Sequence, residues 1–294
     1  MDENRIIIDA TGIGQIGCSL IERISELCGW IYNNNPKVIA KNSLIEDVKK
    51  SNLPSDEKYI LLSNVNRITK EYYNQKNILS IAVEHLNDSS RPDDVDISWL
   101  IQFMDKARLV STEQAQIIWG KLLAEECNNP NSVPKSLLFI LEQMDGEDAK
   151  AFTEVCSCSV RFSCKDDVSY DPIIHDFGGG SYFKTNLKFG NLLRLESLGL
   201  IKQELGPFKT GFATDLNNVP IVASYSDKQF SFPDSCTSVP VGRVIFTRSG
   251  SVLCKIIDAP IIEDFFESQC VPYWENWIKN EEKNSKSQSR EDNG

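Results

Sequence analysis

The sequence is poor in imidazoles and in recognisable catalytic motifs. Only two histidines, His85 and His175, occur in 294 residues, so histidine-based acid–base chemistry has few places to sit. His85 falls on a predicted helix, where a surface role is expected. No GxxxxGK[ST], HExxH, GxSxG or EF-hand loop is present, so none of the nucleotide, zinc-protease, serine-hydrolase or calcium signatures marks a site. No run approaches the roughly 18 consecutive apolar residues of a membrane span. The opening MDENR lacks the basic start of a secretory signal, and the expected location is cytoplasmic. A net charge of −11 argues against a surface that coats polyanions throughout, while leaving room for a local basic face.

Nine cysteines are present without a CxxC pair. In a cytoplasmic protein this favours reduced thiols used as small apolar side chains. Cys156, Cys158 and Cys164, with His175 further on, could hold zinc. Their spacing is not that of the usual ligand pairs, and Cys156 and Cys158 continue a helical pattern begun at Ala149 and Phe152. No metal is expected. His175 beside Asp176, near Cys164 and the glycines Gly178 to Gly180, is the most catalytic-looking grouping. One loop cluster of this kind assigns no catalytic residue.

Gly12-Ile13-Gly14-Gln15-Ile16-Gly17 has the spacing of a dinucleotide fingerprint. That motif requires a strand–helix–strand unit and an acidic residue about 20 positions on. Here the corresponding region is Gly29-Trp30-Ile31-Tyr32-Asn33, a helix end, and no strand–helix alternation follows. The expectation is an N-terminal amphipathic helix over 13–32 with no cofactor, available for self-association.

A long helix is predicted from Asp56 to about Leu86, then a linker at 87–96. Three punctuated helices follow. Asp96 caps the first; Ser111 and Gln114 form a capping box on the second; Ser132 with Pro134 opens the third. Their stripes nominate Trp99, Phe103, Trp119, Leu122 and Leu123 as core. Asp145 caps a fourth helix carrying Phe152, also core. Residues 168–181 are loop-like. Thr185 is the expected cap of a helix that ends at Gly199 with Leu200 folding back. Strand-like runs at 200–205, 220–225, 228–232 and 241–246 precede a helix capped by Thr247. Helix, Gly-Leu-Ile, hairpin, then T-x-x-G-x-x-L is the order of a winged-helix module. The polar segment 279–294 is read as disordered.

Between 184 and 209, Lys184, Lys188, Arg194, Lys202 and Lys209 face Glu196 and Glu204, five minus two giving +3. That face could meet phosphates, with Lys184, Lys188, Arg194 and Lys202 as the nucleic-acid candidates. With no base-reading cluster beside it, an ordinary solvated helix or a protein contact is the favoured explanation.

QKNILSIAVEHL (75–86) and the block 96–152 resemble a bacterial family, domain of unknown function 2806. The shared pattern runs through Trp99, Val110, Ser111, Gln114 or Gln116, Trp119, Leu123, Ala124, Glu125, Pro130, Ser132, Ala149 and Phe152. The helical block is also similar to domains of abortive-infection proteins. The resemblance implies bacterial origin and a phage-defence role, and supplies no catalytic residue.

The expected architecture is mainly α with an α+β part: N-terminal helices (1–90), a helical bundle (91–165), a winged-helix-like module (166–265), and a C-terminal helix and tail (266–294). The expected function is a non-enzymatic interaction protein with a protein partner. A nucleic-acid-binding regulator is the alternative, and a hydrolase or nucleotide enzyme the third.

Overall fold

A computed structural model of the protein describes residues 14–28, 41–175, 182–212 and 219–291. The chain is a mixed α+β protein. It divides into two compact units, Met1–Glu142 and Gln143–Gly294.

The first unit is helical. Helix α1 (Gln15–Cys28) starts after Gly14 and buries Leu20, Ile21 and Ile24. The apolar face considered for self-association is therefore covered within its own unit. Gly12 and the strand-like run before it lie outside the described residues. Helix α2 (Lys41–Lys50) precedes α3 (Ser55–Glu84), which buries Ile78, Leu79 and Ala82 only near its C-terminal end. Helix α4 (Ile97–Ala107) is capped by Asp96, whose carboxylate accepts from Trp99 N. Helix α5 (Glu113–Asn128) opens at Thr112, and the Ser111–Gln114 box does not form. The Gln116 amide turns back instead, donating to Val110 O at 2.9 Å and to Asn74 at 3.3 Å, and ties α5 to α3. Helix α6 (Lys135–Gln143) follows a turn held by a buried carboxylate: Glu126 accepts from Asn131 N at 2.7 Å and Val133 N at 2.8 Å. Trp99, Phe103, Trp119, Leu122 and Leu123 are all buried here, Phe103 stacking on Trp99 and tilting against Trp119.

The second unit opens with α7 (Gly146–Ser157), where Asp145 and Asp148 make a reciprocal capping box. Cys158 is its C-cap, and there the helical pattern stops. Ser159 to Cys164 alternates half-buried and buried residues, with Val160, Phe162 and Cys164 inward. That period of two makes a strand. β1 (Ser159–Cys164) and β2 (Asp167–Pro172) form a hairpin, in place of the extended helix and loop expected there. The four-stranded antiparallel sheet runs β2-β1-β4-β5, with β4 (Val222–Tyr225) and β5 (Lys228–Ser231).

Helix α8 (Phe189–Ser197) starts four residues after Thr185. Thr185 instead closes a turn on Tyr182, its hydroxyl bonded to Tyr182 O. Gly199 has φ 80, and Leu200 N reaches Leu195 O while Gly199 N reaches Glu196 O. This is a Schellman ending, in which a left-handed glycine lets the chain satisfy the last carbonyls. β3 (Ile201–Gly211) pairs with β6 (Ser238–Phe246), passing over the hairpin between them, and α9 (Arg248–Ile256) is capped by Thr247. One π-turn, Phe266–Cys270, leads into α10 (Val271–Glu291), so the tail read as disordered is helix up to Glu291. Trp274 of α10 is fully buried among Phe162, Phe230, Phe232 and Phe266, and donates to Pro240 O at 3.0 Å. Phe152 is buried against Phe246.

Candidate functional site

The residues singled out as catalytic-looking do not converge. Ser159 pairs with Pro172 and Cys164 with Asp167, so Cys164 and the segment leading to His175 lie at opposite ends of the β1–β2 hairpin. The His175 ring stacks flat on Tyr273 at 4.6 Å. Cys164 donates to Val219 O at 3.6 Å. Asp176 and Gly178 to Gly180 lie outside the described residues. Among the described residues no group of three or more His, Cys, Asp or Glu stands ready for a metal.

The basic face is largely matched by acids from elsewhere in the second unit. Arg194 forks onto Asp148, its Nε at 3.0 Å from Oδ1 and Nη2 at 3.0 Å from Oδ2. Lys184 pairs with Asp264 at 3.1 Å, and Lys209 with Glu281 at 3.5 Å. Three of the five cations are thus neutralised, leaving Lys188 and Lys202. The hydrogen bond from Arg194 holds the Asp148 carboxyl below its ordinary range. A lowered folded value means stability present above the unfolded carboxylate value of about 3.9 and lost as pH falls through the folded one. Arg194→Ala is accordingly expected to lower the stability of the second unit near neutrality. The difference from wild type should shrink steadily below about pH 4; urea titrations across that range that show a constant difference would contradict the assignment.

A cavity of about 240 Å³ opens on the half-buried face of the four-stranded sheet. Because Val160, Phe162 and Cys164 face the core, Ser159, Arg161 and Ser163 face the other way. Register places Tyr170 on one side of Arg161 and Ser224 on the other. These three form a cross-strand row, close enough for their side chains to share a ligand. Ser226, at φ 55 in the β4–β5 turn, adds a further hydroxyl. The segment Ala259-Pro260-Ile261 supplies an apolar wall. One phenol fixes that wall: Tyr225 donates to Ser157 O at 2.7 Å and accepts from Ile262 N at 2.8 Å.

One lining thiol, Cys156, is paired with Cys254. Burial pushes Cys156 well up, and Cys254, hydrogen-bonded to Cys156, is drawn down. Elsewhere burial, with the nearby Glu126 carboxylate adding to it, raises Cys127 to about 12, and burial raises Cys28 to about 11, as expected of packed, unreactive thiols.

Arg161 makes no hydrogen bond or ion pair among the described residues, and the lining contains neither carboxylate nor imidazole. A general base is missing from these walls. What they offer is one permanent positive charge among hydroxyls, which is chemistry for holding an anion.

A family model described as Protein of unknown function (DUF2806) matches residues 64–269. The chain belongs to that family. No curated protein and no solved structure matches. In this DUF2806 member the matched segment contains every lining residue of the cavity, from Cys156 to Ile261. Sequence reasoning missed this site. The available signal was the alternation in SVRFSC, which puts a cation on the polar side of a half-buried strand.

Proposed function

We propose that this protein works by binding a protein partner, without catalysis, through the first half of α3. The observation that carries the reading is an exposed apolar helix surface. From 55 to 73 the helix contains no buried residue, yet Tyr59 is 77% exposed and Ile60 and Ile68 are each 57% exposed. Apolar side chains concentrated on one solvent-facing segment favour protein contact. A phage-defence role enters this proposal only through the likeness of the helical block to abortive-infection proteins.

A nucleic-acid-binding regulator is the second reading. In its favour, α8, the β3–β6 ribbon and α9 follow one another in a winged-helix-like order, with Lys188 and Lys202 available. Against it stand the neutralised Lys184, Arg194 and Lys209. With two cations the electrostatic contribution is small, since affinity grows with the number of phosphates met.

A paired experiment separates the two. Ile60→Asp with Ile68→Asp should abolish co-purification of a partner from native cells while leaving the melting curve unchanged. Mobility shifts with duplex DNA at two salt concentrations should show at most weak binding, in the ~10⁻⁴–10⁻⁶ M range typical of non-specific association. Nanomolar, salt-sensitive binding lost in Lys188→Ala with Lys202→Ala would reverse the order.

A further inference from the structure

We infer that the cavity on the four-stranded sheet binds a small organic phosphate monoester, with Arg161 as its anchor. Three observations point there together. A half-buried guanidinium with no acidic partner among the described residues is costly to leave unmatched, and its planar fork of donors suits a phosphate's oxygens. Hydroxyls of Ser224, Ser226 and Tyr170 share its cavity, and none is hydrogen-bonded elsewhere among the described residues. A tetrahedral dianion has more acceptor sites than a carboxylate and can use this many donors at once. The opposite wall, Ala259-Pro260-Ile261, is apolar, which fits an organic group better than a bare ion.

Size narrows the ligand further. The volume of about 240 Å³ equals roughly eight waters at about 30 Å³ each. That admits a phosphate carrying a ring or short chain. Absence of a carboxylate from the lining matters equally, because a nearby acid would repel the dianion and capture the guanidinium. The site is independent of α3 and survives failure of the partner proposal.

The test uses the full chain and phenyl phosphate as probe, titrated by calorimetry at constant ionic strength, with inorganic phosphate and benzoate in parallel. Saturable binding of phenyl phosphate is expected, weakened at least tenfold in Arg161→Gln and less in Arg161→Lys, which keeps the charge but loses the fork. Ser224→Val, which removes a donor and fills space without touching the charge, should also weaken it; circular dichroism checks that each variant folds. Inorganic phosphate binding as tightly as phenyl phosphate would overturn the assignment to an organic monoester and make this a pocket for free phosphate. Benzoate binding more tightly than either phosphate would overturn the proposal, as would wild-type protein showing no saturable binding or folded Arg161→Gln binding normally.

Discussion

Truncating Trp99 to alanine is expected to destabilise the first unit by about 3–5 kcal/mol, the range for removing a buried aromatic from a packed core. Trp99 is 2% exposed, its ring lies on Phe103 at 5.1 Å and 16°, and Phe103 in turn meets Trp119 at 5.2 Å. The three rings join α4 to α5, so an empty Trp99 site strands the other two. Trp119→Ala should behave alike, and both should lower the melting temperature by roughly 10–20 °C. Phenylalanine at 99 gives the sharper test. The Trp99 Nε1–H is buried with no acceptor among the described residues, and such an orphan costs about 1–3 kcal/mol. Trp99→Phe leaves a smaller cavity and removes that orphan, so its loss should be well under half that of alanine. Melts unmoved by either alanine variant, or as low for Trp99→Phe as for Trp99→Ala, would contradict this account of the core.

The helical block was legible because its information is local. Asp96, Asp145 and Thr247 each cap the helix they precede, and each bond spans two or three residues. Where an expected cap failed, the chain took another local path: α5 opens at Thr112 with no side-chain cap in place of the Ser111–Gln114 box, and Thr185 closes its own turn on Tyr182. The sheet was half legible. All four strand-like runs after 200 became strands, but β3 passes over the β4–β5 hairpin to reach β6, a pairing that no spacing records. Counting charge from 184 to 209 misled for the same reason. Asp148, Asp264 and Glu281, which neutralise Arg194, Lys184 and Lys209, all lie outside that window. The cavity was invisible because its meaning depends on register. Tyr170, Arg161 and Ser224 form a row only once three strands pair, and the isolation of Arg161 is a property of its surroundings.

Gly250→Ala is expected to destabilise the second unit at or above the upper end of the usual ~1–3 kcal/mol for overpacking. Helical propensity predicts the opposite sign, since alanine is favoured over glycine within a helix by about 1 kcal/mol. Geometry decides. A Cβ at position 250 would stand 1.9 Å from Leu200 O and 3.1 Å from the Phe246 ring. The obstacle is backbone, which cannot rotate aside. That same carbonyl accepts from Thr247 N at 3.0 Å and from the Thr247 hydroxyl at 3.2 Å. Any shift of α9 that relieves the clash therefore pulls on its own N-cap and on the start of β3. Gly190 in α8 is the control, because nothing lies within 4 Å of its added Cβ. Gly190→Ala should be neutral or stabilising by up to about 1 kcal/mol. Urea melts of the two variants beside wild type test the argument: Gly250→Ala matching wild type would remove the close α9–β3 approach on which this half of the fold depends.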